Sequence, residues 1–172
     1  MKDTQQNKQT LEDVMKQYQT TLLRYASCVL NNESAAQDVV QETFIRLNKN
    51  LDKVGKNESH LKGWLFRTTH NVSVDYIRKE SRRKKLHEKQ EMSVTSNSTS
   101  DSVEEEQREL VLQHLNILTI KEREAISLRL LEGMSYRQIG RVVKRSEGYV
   151  GTLIYTATKK LSKSLRQAGV LA

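Results

Sequence analysis

The sequence predicts an all-α protein of two small helical domains joined by a flexible linker, and three observations lead there. The 172 residues include no proline and few aromatics, so the strongest helix breaker is missing and strand-favouring side chains are scarce. Apolar side chains recur at helical spacing on both sides of one polar break. That break, Glu88 to Glu105, contains Ser93-Val-Thr-Ser-Asn-Ser-Thr-Ser-Asp-Ser, too poor in apolar groups to offset the entropy cost of ordering it. The expected division is a first domain over 1–85, a flexible acidic, serine-rich linker over 86–105 and a second domain over 106–172, each burying only a modest core.

In the first domain, Leu11 to Leu30 forms a helix with Leu11, Val14, Met15, Tyr18, Leu22, Tyr25, Ala26 and Val29 on one stripe. Cys28, the single cysteine, reads there as a buried small hydrophobe and excludes an intramolecular disulfide. After the break Asn31-Asn-Glu-Ser, Ser34 is placed to cap a second helix bearing Ala35, Val39, Val40, Phe44, Ile45 and Leu47. Asp38 lies in an early turn, where it complements the helix dipole. With Gln41, Glu42 and Arg46 it makes a polar face. Asp52 to Ser59 is polar, contains Gly55 and is expected to be a loop. A long helix follows from about Leu61 to Lys85, with Leu61, Leu65, Val72 and Tyr76 on an apolar side. Arg67, Asn71, Arg78 and Arg82, spaced 4, 7 and 4 apart, share a polar side.

The second domain carries the most specific local pattern. Ser135-Tyr-Arg-Gln-Ile-Gly-Arg-Val-Val, a basic break at Lys144 and Arg145, then Ser146-Glu-Gly-Tyr-Val-Gly-Thr-Leu-Ile-Tyr reads as a helix-turn-helix. Ser135 and Ser146 each offer a hydroxyl to an unpaired first-turn N–H. Gly140 leaves room for a close helix crossing. On the second helix Val150, Ile154, Ala157, Leu161 and Leu165 form a buried stripe, leaving Glu147, Gly151, Thr152, Tyr155 and Lys159 outside, where a recognition helix would meet a major groove. An ordinary helical hairpin packed in a core has the same spacing.

Charge narrows the possible partners. The formal net charge is +8, with 16 Lys and Arg against 10 Asp and Glu in 1–85, 1 against 5 in 86–105, and 12 against 6 in 106–172. Two basic blocks flanking an acidic spacer fit a polyanion partner, though a membrane surface or simple solubility also fits charge alone. Four histidines, His60, His70, His87 and His114, lack metal-ligand spacing, and neither a nucleophile with a partner base nor a glycine-rich phosphate loop is evident. Catalysis, a metal site and a cofactor are therefore not expected. No apolar run is long enough to insert in a membrane and no signal-like stretch is present, so a cytoplasmic location is expected.

Asp38-Val-Val-Gln-Glu-Thr-Phe-Ile-Arg-Leu, followed by Leu61-Lys-Gly-Trp-Leu-Phe-Arg-Thr-Thr-His-Asn-Val-Ser-Val-Asp-Tyr-Ile-Arg, resembles the second conserved region of extracytoplasmic-function sigma factors, the small two-domain branch of the sigma-70 family. Leu118-Thr-Ile-Lys-Glu-Arg-Glu-Ala-Ile-Ser-Leu-Arg-Leu-Leu-Glu-Gly-Met-Ser-Tyr-Arg-Gln-Ile-Gly resembles the family's fourth region. The resemblance implies an initiation factor that lends promoter recognition to core RNA polymerase. It implies polymerase contacts at Asp38, Gln41, Glu42 and Arg46, with Phe44 in the core. It implies minus-10 DNA contacts at Trp64, Arg67, Asn71, Arg78, Lys79 and Arg82, with Asn71 in a base pocket walled by a loop from Val54 to Gly63. The amide of Asn71 can both donate to and accept from a base edge. Trp64 is equally well read as a packed core aromatic, and Arg82-Arg-Lys-Lys as a solvated helix end.

For the minus-35 element the implied contacts are Arg141, Lys144, Arg145, Ser146, Glu147, Tyr149, Gly151, Thr152, Tyr155 and Lys159, with Lys160 also available for phosphates. Here the chain departs from the family pattern. Gly151, Leu153, Thr156 and Thr158 stand where arginines are common, and Lys144 stands where many such turns use glycine, at a cost of about 1 kcal/mol if that residue needs a positive φ. An anti-sigma protein is a further implied partner. A stand-alone helix-turn-helix regulator, binding DNA without polymerase, is the rival reading.

Overall fold

Helical periodicity becomes six helices among the described residues of the computed structural model, which cover 2–54, 57–87 and 114–169, with side chains described from Leu11. They are α1 (Lys2–Leu30), α2 (Glu33–Val54), α3 (Glu58–His87), α4 (Ile120–Leu130), α5 (Tyr136–Val143) and α6 (Glu147–Gln167). The expected linker, from 88 onward, falls outside the described residues.

Helix boundaries in the first half differ from expectation because asparagines, not Ser34, start the helices. Asn32 Oδ1 accepts from the Ala35 N–H at 3.0 Å, and its carbonyl accepts from Ala36 N at 3.0 Å, so α2 begins one residue before Ser34. Asn31 takes φ 50°, a left-handed conformation that asparagine tolerates better than most side chains. The expected loop over 52–59 is mostly helix: α2 continues to the buried Val54, and Asn57 Oδ1 accepts from His60 N at 3.0 Å to start α3. Glu58 to Gly63 is therefore a first helical turn and a half rather than a loop wall beside Asn71. α1 likewise starts nine residues before Leu11, at Lys2.

Leu22, Tyr25, Ala26 and Val29 of α1 pack with Val39, Phe44 and Leu47 of α2 and Leu65 and Phe66 of α3. The Tyr25 and Phe66 rings meet edge to face, centroids 5.6 Å apart. Cys28 is only half-buried, and burial pushes its thiol up despite a bond from Ser127. Ile45, expected in the apolar stripe, is instead 45% exposed. The fully buried hydroxyls of Thr43 and Thr69 lie 3.2 Å apart. This pairing fixes α2 against α3, and with them the directions of their polar faces.

From Ile120 on, the described residues form three capped helices. Thr119 and Glu122 form a reciprocal capping box on α4, Ser135 and Gln138 form another on α5, and Ser146 Oγ accepts from Tyr149 N on α6. Leu128, Ile139, Val142, Val150 and Ile154 are buried among them and belong to the same apolar core as Leu22, Tyr25, Leu65 and Phe66. The turn between α5 and α6 bends sharply at Lys144, whose φ of 55° places a lysine in the left-handed region. The Lys144 and Arg145 N–H groups both donate to the Gly140 carbonyl. No Cβ fits at Gly140, since one would sit 2.6 Å from the Arg145 carbonyl oxygen.

The two halves touch. Tyr25 and His70 both reach Glu124 of α4, Lys62 pairs with Glu132 at 3.0 Å, and Asn31 Nδ2 donates to Asn116 Oδ1 at 3.1 Å.

Candidate nucleic-acid and polymerase interfaces

On α2 the rigid backing of Val39, Val40 and Phe44 turns Asp38 and Gln41 to solvent, with Glu42 and Arg46 half-exposed. Arg46 Nε donates to Glu42 Oε1 at 2.8 Å, one helical turn away. Ile45 shares this face, four residues on from Gln41. An exposed apolar side chain among charges is what a protein-binding surface needs, and the i, i+4 relation to Gln41 was the available signal.

On α3, Arg67, Arg78, Lys79 and Arg82 are exposed and Asn71 is half-buried. None of the five has a side-chain hydrogen bond or ion pair among the described residues, so the face is unspent. Trp64 is half-buried, packed against the core.

On the helix-turn-helix, Arg141, Lys144, Arg145, Ser146, Glu147, Tyr149, Thr152, Tyr155 and Lys159 are exposed, Tyr155 to 69%. The Arg145 guanidinium lies over the Tyr149 ring, 5.8 Å from its centroid. Thr152 Oγ1 donates to the Gly148 carbonyl at 3.2 Å, which leaves the threonine methyl as its free group. Gly151 is half-buried, with the Tyr136 ring 3.6 Å from where its Cβ would stand. Arg137, one turn before Arg141 and equally exposed, was missed although the i, i+4 spacing pairs the two.

Lys160 leaves the phosphate-binding set. Its Nζ is 2.9 Å from both carboxylate oxygens of Glu122. Burial alone would raise the Glu122 carboxyl, but Lys160 and the Thr119 cap outweigh it and hold the group below its ordinary value.

These faces are not independent in space. Asn71 and Arg78 of α3 line one cleft of about 740 Å³ together with Lys144, Arg145 and Tyr149 of the helix-turn-helix. Arg67 and Arg141 line a second, of about 660 Å³, together with the paired Lys62 and Glu132. Among the described residues no cluster of histidine, cysteine or carboxylate side chains could hold a metal ion, and no helix is long and apolar enough to cross a membrane.

Comparison with known proteins places both halves. A family model described as Sigma-70 region 2 matches residues 14–83, and one described as Sigma-70, region 4 matches residues 105–161. The extracytoplasmic-function RNA polymerase sigma factor SigM of Bacillus subtilis is 24% identical over 162 residues, covering 94% of this chain and 98% of SigM. SigL of Mycobacterium tuberculosis is 27% identical over 155 residues, covering 90% and 88%. Among solved structures, the sigma factor RpoE of Bartonella quintana, in complex with the anti-sigma factor NepR, superposes with a TM-score of 0.72 at 22% identity, covering 90% of this chain and 96% of that one. CnrH, in complex with the cytosolic domain of CnrY, gives 0.68 at 23% identity, covering 93% and 90%.

Proposed function

Because the chain belongs to the sigma-70 family, as an extracytoplasmic-function RNA polymerase sigma factor that directs polymerase to promoters, we propose a division of that task among its three exposed faces. The α2 face, Asp38, Gln41, Glu42 and Arg46 with Ile45 among them, docks on core polymerase. The α3 face binds the minus-10 element: Arg67, Arg78, Lys79 and Arg82 neutralise phosphates, and Asn71 reads an unstacked base. The α5–α6 face binds the minus-35 element, with Arg137, Arg141, Lys144, Arg145 and Lys159 on phosphates and Thr152 and Tyr155 on base edges or thymine methyls. On this reading the first domain is 1–85 and the second 106–172. The protein does no chemistry, takes no cofactor and works in the cytoplasm beside the polymerase.

The single observation that carries the proposal for α3 is an amide, Asn71, half-buried beside four exposed cations and without a partner of its own among the described residues. Strand opening without fuel requires extruded bases to find stacking and edge bonds elsewhere, and an amide that both donates and accepts meets that need. Asn71→Ala should slow open-complex formation by the equivalent of about 1 to 3 kcal/mol while duplex binding changes little. Permanganate reactivity of minus-10 thymines, in reactions reconstituted with core enzyme, measures it. Equal reactivity for both proteins would make Asn71 structural.

The structural neighbours were solved with the anti-sigma factor NepR and with the cytosolic domain of CnrY, which supports an anti-sigma partner here too. A stand-alone regulator is not favoured, since residues 14–83 match a polymerase-factor region rather than an effector or dimerisation domain.

A further inference from the structure

The cleft of about 740 Å³ is lined for more than a DNA backbone. Its volume lies in the range of small-molecule sites, and its walls come from α3, the first turns of α4, and the α5–α6 turn with the start of α6. The lining is of three kinds. Val74, Ile77, Val143 and Leu153 supply apolar surface, with Ile120 still 37% exposed beside them. Arg78, Lys121, Lys144 and Arg145 supply cations, and none of the four has an ion pair or a side-chain hydrogen bond among the described residues. Tyr149, 39% exposed under the Arg145 guanidinium, and the unpartnered amide of Asn71 complete it. Of the two lining carboxylates, Glu124 is taken by Tyr25 and His70, which leaves Asp75 against four cations.

Two of these features are surplus to DNA reading. Phosphate neutralisation and base-edge bonds need exposed polar groups rather than an apolar floor, and Lys121 stands on α4, which carries none of the three interaction faces. The minus-10 and minus-35 elements lie roughly two turns of duplex apart, so neither element by itself meets both α3 and the helix-turn-helix. A compact molecule reaches every group of the cleft at once. Its walls hold their positions because the core beneath them, Leu65, Val143 and Val150 included, is common to both halves. The matching chemistry is a flat ring, received by the apolar side chains and Tyr149, that carries several negative charges for the cations to neutralise. Asn71 adds an amide that donates and accepts, and Asp75 an acceptor for ring amino groups or sugar hydroxyls. An inorganic polyphosphate uses only the cations, and a fatty acid only the floor and one cation.

We propose that this cleft binds a free nucleoside polyphosphate, its base on the floor of Ile77, Ile120 and Leu153 beside Tyr149 and its phosphates among Arg78, Lys121, Lys144 and Arg145. That no promoter element fills the cleft rests on the assignment of α3 and α5–α6 to separate elements; binding of the nucleotide is measured without DNA. Occupancy engages Arg78, Lys144 and Arg145, so nucleotide and promoter draw on the same three cations.

The test uses the full chain, with GTP, ATP and tripolyphosphate as probes, by isothermal titration without magnesium at physiological salt. A nucleotide should bind, and tripolyphosphate about tenfold more weakly, because it has no ring to bury. Lys121→Ala removes one rim cation and should weaken every probe by about fivefold. Ile120→Ser removes part of the floor and should weaken the nucleotide while leaving tripolyphosphate unchanged. Both side chains are exposed, so helical circular dichroism should not change, and holoenzyme reconstituted with either variant should bind promoter DNA as the wild type does. A wild-type protein that binds neither GTP nor ATP would overturn the site. Tripolyphosphate bound as tightly as the nucleotides, or either variant behaving as the wild type, would reduce the binding to ion exchange on the DNA faces and overturn it equally. A Lys121→Ala protein that also lost promoter binding would place Lys121 on a DNA face, with the same result. Whether α3 reads DNA is decided separately, by the Asn71→Ala measurement with core enzyme.

Discussion

Adding one methyl group at Gly140 tests whether the helix-turn-helix crossing is as tight as its geometry states. A Cβ there would stand 2.6 Å from the Arg145 carbonyl oxygen, 3.7 Å from its carbon and 3.8 Å from Glu147 N. Ordinary contact starts near 3.4 Å, so the turn must retreat by about 0.8 Å. The obstacle is backbone, and the same turn is held by two N–H groups bonded to the Gly140 carbonyl, so no side-chain rotation relieves it. Overpacking of this kind costs about 1 to 3 kcal/mol. Alanine returns up to about 1 kcal/mol through its better helix propensity. Gly140→Ala should therefore be destabilised by about 1 to 2 kcal/mol, lowering Tm by about 2 to 8 °C for a chain of this size. Gly151→Ala is the control. Its Cβ would meet the Tyr136 ring at 3.6 Å, an ordinary contact, so only the propensity gain remains. Urea and thermal unfolding followed by circular dichroism separate the two. A Gly140→Ala protein as stable as Gly151→Ala would mean that the crossing has slack and that the close approach is not a constraint.

Three further outcomes follow from the same domain. Lys144→Gly should raise the urea midpoint by the equivalent of up to about 1 kcal/mol by relieving the left-handed conformation, and should weaken DNA binding if Lys144 touches a phosphate, with the log–log salt slope shallower by about 0.9. Glu122 is held below its ordinary carboxyl value, so the stability it contributes is fully present above its unfolded value and is lost as pH falls through the folded one; Glu122→Gln should flatten the acid limb of a stability–pH profile and leave neutral pH as the region of greatest difference. Arginine at Gly151 and Thr156 should steepen the salt dependence of minus-35 binding and tighten it, measured on the full protein with core polymerase. An unchanged slope would show that Arg137, Arg141, Lys144, Arg145 and Lys159 already saturate the phosphate contacts.

Local chemistry was legible wherever one residue type had one use. Ser135, Ser146 and Gly140 announced the helix-turn-helix because a hydroxyl before an apolar run and a glycine at a crossing each have a narrow physical meaning, and Lys144 was suspect for the same reason. Ser34 misled because Asn32, two residues earlier, is an equally good cap, and propensity cannot choose between neighbours. Ile45 misled because its spacing fits both the buried stripe and the Gln41 face, and only the packing of α2 on α3 resolves which it joins. The loop expected over 52–59 failed similarly. Its polar side chains are compatible with exposed helix, and Asn57 supplied a cap that composition does not reveal.

What stayed hidden were the polar bonds that join the halves. Glu124 stands in α4 beside Lys121 and Arg123, and in sequence it looks like one more charge on a solvated helix. Its partners are 99 and 54 residues away, so no helical spacing connects them. Lys160 shows the same blindness in reverse: it counted as a free phosphate ligand until Glu122, 38 residues before it, proved to hold it. A basic face read from sequence is therefore an upper bound on the cations available for DNA, since distant carboxylates can claim members of it. The α3 face is the opposite case. Arg67, Asn71, Arg78, Lys79 and Arg82 all lack side-chain partners among the described residues, and the boundary is made instead by an apolar core common to both halves and by bonds from Tyr25, His70, Lys62 and Asn31. The side chains that join the two halves are therefore a separate set from those of the α3 face. Those five side chains stay available to an outside partner with the halves packed, because the contacts between the halves use none of them.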